Sequence, residues 1–347
     1  MKLTFRWYGK NDPITLDKIR QIPLIRGVVT AVYDTPPGTV WSRESINDLV
    51  DSCHAKGLEC EVIESVPVHE DIKLGLPSAK KYIENYKENI RRLGEVGVKC
   101  ICYNFMPVFD WLRSDLEMVQ KDGANALSYD HARIMKMDPL KSELSLPGWD
   151  SSYTKEGLRE LLKKYEKVGT EELWENLKKF LEEIIPVAEK AGIKMAIHPD
   201  DPPWPIFGLP RIITDYEGIK RFLSLVDSPA NGITLCTGSL GVAQDNNLVD
   251  IIHLAKGRTP FVHIRNVKNS NEKDFEETAH PSEYGSLDIY EIAKALHDTG
   301  FDGYIRPDHG RMIWGEKGRY GYGLFDRALG ATYIGGLFEA IEKGSKK

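Results

Sequence analysis

Eight times along this chain a short run rich in β-branched and aromatic residues gives way to a loop, then to a longer segment with apolar residues three and four apart. A period of two followed by a period near 3.6 marks a strand feeding a helix, and repeated alternation predicts a parallel sheet of βα units. The strand-like runs fall at residues 3–9, 27–34, 59–65, 99–105, 193–199, 231–238, 260–266 and 302–308. Eight such units close a barrel, and 347 residues suit one barrel with insertions. The predicted fold class is α/β, a (β/α)8 TIM barrel forming a single domain over 1–347.

Helices are expected at 16–21, 42–55, 78–96, 170–191, 215–225, 248–256, 287–299 and from Phe325 onward. Ser42, with Ser45 three residues on, is a partial capping signal. Pro186 predicts a kink in the long helix, or its last turns. The alternation breaks between 106 and about 169, where FDWLRSD, ALSYDHAR and LPGWDSSY stand in place of a βα unit. A compact domain rarely carries so long a loop without purpose, so this segment is expected to be an insertion or lid after strand four. The loop after the seventh strand is expected to run on to Tyr284, and the GSKK tail to fray.

Barrel chemistry sits at the C-terminal ends of the strands. The fifth to eighth strands end in His198, Cys236, His263 and Asp308. Neighbouring barrel strands lie about 5 Å apart, so successive strand ends can share one ion. Two imidazoles, a thiolate and a carboxylate suit Mn, Fe, Co or Zn better than Mg or Ca. The gaps of 38, 27 and 45 residues match no compact metal motif. Taken singly, a strand histidine or cysteine is more often a packed core residue. Four candidates at four consecutive strand ends favour a metal site.

Arg6, Arg265 and Arg306 also lie in strands, where a buried guanidinium needs a partner. That partner is either Glu61 or Glu64, or the carboxylate of a substrate gripped through two parallel hydrogen bonds. Arg265, two residues beyond His263, is expected to share its face. His309 and Tyr322 are candidates for proton transfer, since a tyrosine beside a cationic metal centre can become acidic enough to act as a base. Glycines 318, 321 and 323 suit a segment that closes over a ligand. His69 and Asn104 are expected on the same rim. Cys53 and Cys60 read as packing residues, and His131, His253 and His297 as solvent-facing.

Composition narrows the partners. A net charge of −6 without a basic stripe argues against nucleic acid. No run approaches the ~20 apolar residues of a membrane span, and the start MKLTFRWYGKND lacks a signal-peptide core. Five cysteines without CxxC spacing read as reduced thiols of a cytoplasmic protein.

The stretches TFRWYG, IRQIP, VIESVPVHEDIKLG, ICYNFMPVFDW, AIHPDDPPWPIFGLPRI, LCTGSLG, FVHIRN and RPDHGRMIWGE together resemble the mannonate dehydratase family of hexuronate catabolism. The resemblance covers nearly the whole chain. It implies a barrel related to xylose-isomerase-like enzymes, a requirement for Mn²⁺ or Fe²⁺, and a homodimer. The implied reaction is dehydration of D-mannonate to 2-dehydro-3-deoxy-D-gluconate. The family's metal ligands fall on His198, Cys236, His263 and Asp308, and its acid and base on His309 and Tyr322. On this reading Tyr322, as phenolate, takes the carbon-2 proton and protonated His309 serves the leaving 3-hydroxyl.

Two rivals stand beside it. A metal-dependent sugar isomerase or epimerase of the same architecture would commonly bind its ion with several carboxylates. A non-catalytic sugar-acid binder would have no need of His309 beside the ligands. Formation of a 2-keto acid from D-mannonate discriminates between all three.

Overall fold

The computed structural model describes residues 1–140 and 153–345. Among them the strands are, in chain order, β1 (Lys2–Arg6), β2 (Gly27–Thr30), β3 (Glu59–Glu64), β4 (Cys100–Tyr103), β5 (Asp115–Val119) and β6 (Asn125–Tyr129). They continue with β7 (Lys194–Ile197), β8 (Asn231–Cys236), β9 (Phe261–Ile264), β10 (Val267–Asn269), β11 (Phe275–Glu277) and β12 (Tyr304–Pro307). Eight close a parallel barrel in the order β1-β12-β9-β8-β7-β4-β3-β2, the fold class that the alternation predicts.

The barrel strands are shorter than the β-rich runs. The run 193–199 pairs only over Lys194–Ile197, and 260–266 only over Phe261–Ile264. The residues that drop out, His198 and Arg265 among them, have turned from the ladder into the rim. Inside the barrel Val29, Val62, Cys100, Cys102, Ala196 and Phe261 form a closed apolar plug. Outside it, helices bury the stripe that their spacing predicts. The helix Arg43–His54 is capped by Ser42, whose Oγ accepts from the Ser45 N–H at 3.0 Å. Thr170–Ala191 runs as one helix with Pro186 inside it.

One expectation about a loop is corrected, and a short helix is added to those expected. TGSLG is a short helix, Thr237–Gly241, directly after β8. The loop after β9 is not irregular as far as Tyr284, since it carries β10 and β11. These join β6 and β5, from the segment after β4, in an antiparallel sheet ordered β10-β11-β6-β5. Tyr129 stacks on Phe275 with ring centroids 5.4 Å apart, so two loops far apart in sequence share one apolar core. The segment after β4 also contains helices His131–Met135 and Lys155–Tyr165. Most of the LPGWDSSY run and the last two residues of the tail lie outside the described residues. No helix among the described residues is long and apolar enough to cross a membrane.

Candidate active site

Strands β7, β8, β9 and β12 are consecutive in the barrel, which brings His198, Cys236, His263 and Asp308 together at one rim. Cys236 pairs in register with His263. The ligand atoms of His198, Cys236 and His263 all lie within 4.8 Å of one another. Asp308 closes the set, 3.6 Å from the Cys236 sulfur and 3.7 Å from His263 Nδ1.

The proton positions decide what this cluster can bind. His198 Nδ1 lies 2.7 Å from the Pro199 carbonyl, so it carries the proton and Nε2 keeps the lone pair. His263 Nε2 lies 3.3 Å from the Glu64 carboxylate, which favours the proton there and a lone pair on Nδ1. Those two lone-pair nitrogens face each other at 3.2 Å. Two acceptors at that distance, beside a sulfur and a carboxylate, repel unless a positive charge sits among them. Burial alone would raise the Asp308 carboxyl, but His309, Arg306, Arg265 and His263 hold it well below its usual range, so it is anionic. Ser239 donates to the Cys236 sulfur at 3.1 Å. The donor set fits a divalent transition metal. A second cluster of Glu64, Cys102 and His263 fits less well. Burial pushes its Cys102 thiol well up, and Glu64 is already engaged by Arg306.

A cavity of about 410 Å³ opens above the cluster. On its wall His309 Nε2 meets the Tyr322 hydroxyl at 2.9 Å, and Trp111 packs on the imidazole with ring centroids 5.0 Å apart. Behind the imidazole, Nδ1 faces both Glu277 oxygens at 2.8 and 2.9 Å. That carboxylate is fully enclosed. Burial opposes its charge, yet His309, Arg113 and Arg265 hold its pKa below the ordinary range. Arg113 donates to Glu277 at 2.7 Å and to Asp201 at 2.8 and 3.1 Å. Arg265 donates to the same Asp201 at 2.7 Å. Two Glu277 oxygens, against one Arg265 N–H 2.9 Å from the same nitrogen, favour a proton on Nδ1 and leave Nε2 facing the Tyr322 hydroxyl. Burial, with Tyr8 and Asp308 adding to it, pushes the Tyr322 phenol well above its ordinary value, against the pull of Arg306 and Arg6. Without a bound cation, the protein's own groups therefore favour the neutral hydroxyl of Tyr322.

The other predicted residues separate. Arg306 is forked onto Glu64 at 3.1 and 3.0 Å and reaches Asp308 at 2.8 Å, so its donors are spent within the protein. Arg265 lines the cavity, but Asp201, Ser239 and Glu277 occupy its fork. Gly238 makes that position possible, because a Cβ there would meet Arg265 Nε at 1.8 Å. Arg6 differs. It lines the cavity, Nη1 stands 3.1 Å from Glu64, and neither Nε nor Nη1 has an aligned hydrogen bond. Asn104 lies on the wall and donates to Asp110 at 3.1 Å. His69 is a correction: it lines the adjoining chamber, not this cavity. There it caps the short helix Glu70–Lys73 by accepting from the Asp71 N–H, and it stacks on Tyr82 at 3.6 Å.

Sequence reasoning missed Glu277, Arg113, Asp201, Asp110 and Trp111. Only Asp201 carried a visible signal, as half of an acidic pair directly after a strand-end histidine. The others lie in segments that periodicity does not place.

These enclosed carboxylates predict an acid limit. Asp308, Asp201, Glu277 and Glu64 all titrate below their ordinary range in the folded state. Such a group contributes its full stability above the unfolded pKa of about 4 and loses it as pH falls toward the folded value. The thermal midpoint of the metal-free protein is expected to change little from pH 7 to about 5 and then drop steeply below about 4. A midpoint that rises below pH 4 would contradict the assignment of these groups as native anions.

The whole chain, residues 1–347, matches the family model of D-mannonate dehydratase (UxuA). A mannonate dehydratase of Streptococcus agalactiae serotype V is 57% identical over 348 residues, covering 100% of both chains. Mannonate dehydratase 2 of Halalkalibacterium halodurans is 54% identical, covering 98% of this chain and 99% of its own. The crystal structure of mannonate dehydratase from Streptococcus suis serotype 2 superposes with a TM-score of 0.94 at 47% identity, covering 100% of this chain and 96% of that one. A D-tagatose 3-epimerase-like protein superposes with a TM-score of 0.60 at 15% identity, covering 99% of this chain and 100% of that one, a likeness of fold alone.

Proposed function

Since the chain belongs to the D-mannonate dehydratase family, and is thereby a carbon–oxygen hydro-lyase, we propose that it removes water from D-mannonate to give 2-dehydro-3-deoxy-D-gluconate in cytoplasmic hexuronate catabolism. The observation that carries this reading is the convergence of His198, Cys236, His263 and Asp308 beside the His309–Tyr322 pair, with His198, Asp308, His309 and Tyr322 lining one cavity. His198, Cys236, His263 and Asp308 would hold a Mn²⁺ or Fe²⁺ ion, which when bound supplies Lewis acidity at substrate oxygens.

The chain's own groups then divide the proton work. The hydrogen on carbon 2 is weakly acidic and needs a base, and the departing 3-hydroxyl needs a proton. His309, with its proton on Nδ1 against Glu277, can accept at Nε2 once substrate displaces the Tyr322 hydroxyl from it, and the carboxylate behind it stabilises the imidazolium that results. Tyr322, held as a neutral hydroxyl, is suited to donate. We therefore assign the carbon-2 proton to His309 and the leaving 3-hydroxyl to Tyr322, the reverse of the division read from the sequence. The enol left by this elimination takes a proton on carbon 3 and releases the proton of its 2-hydroxyl, becoming the 2-keto acid. Residues 106–169 contribute Asp110 and Trp111 to the cavity wall, and we assign this segment the role of a cover within a single-domain enzyme.

The test is direct. Protein loaded with Mn²⁺ or Fe²⁺ is incubated with D-mannonate and the 2-keto acid is measured. Absence of product with either metal would overturn the reading.

Arg6 is the guanidinium best placed to grip the substrate carboxylate, because it lines the cavity and, although Nη1 pairs with Glu64 at 3.1 Å, neither Nε nor Nη1 has an aligned hydrogen bond. An ammonium cannot reproduce a two-pronged contact, and hydrogen bonds to charged groups contribute about 1.5–3 kcal/mol. Arg6→Lys is expected to raise the KM for D-mannonate by roughly 10-fold or more with a smaller change in kcat. Arg265→Lys should instead act through kcat, since its partners hold Glu277 and Asp201. An unaltered KM in Arg6→Lys would return that residue to a purely structural pairing with Glu64.

A further inference from the structure

We infer that the chain carries a second ligand site, for a small multiply charged anion, at the opposite mouth of the barrel. A cavity of about 360 Å³ lies there, walled by the N-terminal ends of the strands and the loops leading into them. Lys2 and Lys194 are the first residues of β1 and β7, Lys99 immediately precedes β4, and Lys256 lies in the turn before β9. Four ammonium groups thus line one cavity, against the single carboxylate of Asp302. Lys2 is neutralised by Glu59 at 2.9 Å and Glu61 at 2.6 Å. Among the described residues, no carboxylate forms an ion pair with Lys99, Lys194 or Lys256.

That imbalance runs against the chain as a whole, whose net charge is −6. It is also built into the sheet. The Lys194 N–H donates to the Lys99 carbonyl at 2.9 Å, so the two ammonium tethers leave from adjacent strands. Like charges on neighbouring strands repel, and three lysines without an ion pair, against Asp302, leave the recess net positive. An anion bridging the lysines relieves both. The Thr259 and Thr299 hydroxyls point their protons at helix carbonyls, Ala255 at 3.2 Å and Ala295 at 2.9 Å. The cavity volume suits a small metabolite, and the lining selects two or more negative charges, as in a phosphate monoester or a dicarboxylate. Catalysis at this end is excluded by distance from the metal ligands. The strands connect the two ends, however: β1 runs from Lys2 to Arg6, β7 leads from Lys194 to His198, and β12 leads from Tyr304 to Asp308. An anion here would bear on the stability of the strands that carry the ligands.

The test is titration calorimetry of the metal-loaded protein with glycerol 3-phosphate and, separately, with succinate. Ionic strength is held constant with KCl, because screening alone weakens exposed charges. Saturable binding of at least one dianion is expected, weakened tenfold or more in Lys99→Gln/Lys194→Gln, with metal content unchanged. Which dianion binds separates a phosphate ligand from a carboxylate one. Lys256→Gln, exposed and outside the strands, provides the same comparison if the double variant does not fold. Absence of saturable binding for both dianions, or equal affinity in wild type and variants, would overturn the site.

Discussion

Protein carrying Cys236→Ser is expected to purify folded but without its divalent transition metal, and with D-mannonate dehydration reduced at least ~100-fold. Even partners outside the coordination shell typically cost about 10–100-fold in metal affinity or activity when removed, so a direct ligand costs no less. Serine keeps the volume and the hydrogen bond from Ser239 but replaces a soft thiolate with a hydroxyl that stays protonated. The barrel should tolerate the change, because Cys236 ends β8 and its neighbours in the ladder pair through backbone atoms. His198→Ala is expected to behave likewise, since it removes the nitrogen that faces His263 at 3.2 Å. Elemental analysis beside a 2-keto acid assay reads both effects. Full metal content with normal turnover in Cys236→Ser would dismantle the four-ligand site.

The second large effect separates the two proton-handling groups. Loss of a general acid or base costs about 10²–10⁴-fold in rate. His309→Asn and Tyr322→Phe should each retain metal and lose turnover by that order. In deuterated solvent the variants should differ. His309→Asn should no longer exchange the carbon-2 hydrogen of D-mannonate, because Nε2 is the acceptor aimed into the cavity. Tyr322→Phe should still exchange it, because the imidazole and Glu277 remain in place. Exchange that survives in His309→Asn and vanishes in Tyr322→Phe would restore the phenolate as base. Near-normal turnover in either variant would remove that residue from the mechanism. Glu277→Gln offers a check on the positioning, since an amide cannot hold the same charge behind Nδ1. Its loss should fall mainly on kcat.

The sequence by itself determined the barrel and which residues stand at its strand ends, and for one physical reason. Parallel strands buried on both faces must be apolar runs, and a (β/α)8 closure puts every strand end on one rim. A histidine, cysteine or aspartate that ends such a run therefore has its position assigned before any contact is known. His198, Cys236, His263 and Asp308 were legible in that way, and His309 followed from Asp308 by adjacency. Tyr322 entered through its glycine-flanked run and through family resemblance. The arginines were legible only as buried charges in need of partners. Which partner each takes depends on Glu64, Asp201 and Glu277, which come from three different elements. The antiparallel sheet was invisible because β10 and β11 are three residues each, too short for a period, and β11 pairs with β6, more than a hundred residues earlier. With that sheet come Glu277, which orients His309, and Arg113, which holds Glu277 to Asp201. His69 shows the converse: an imidazole at the predicted rim was drawn off by a helix cap and a tyrosine face within its own loop. Periodicity records what a strand or helix must bury. Which charges meet across loops is decided by the pairing of segments that carry no period, and that is fixed only when the tertiary structure closes.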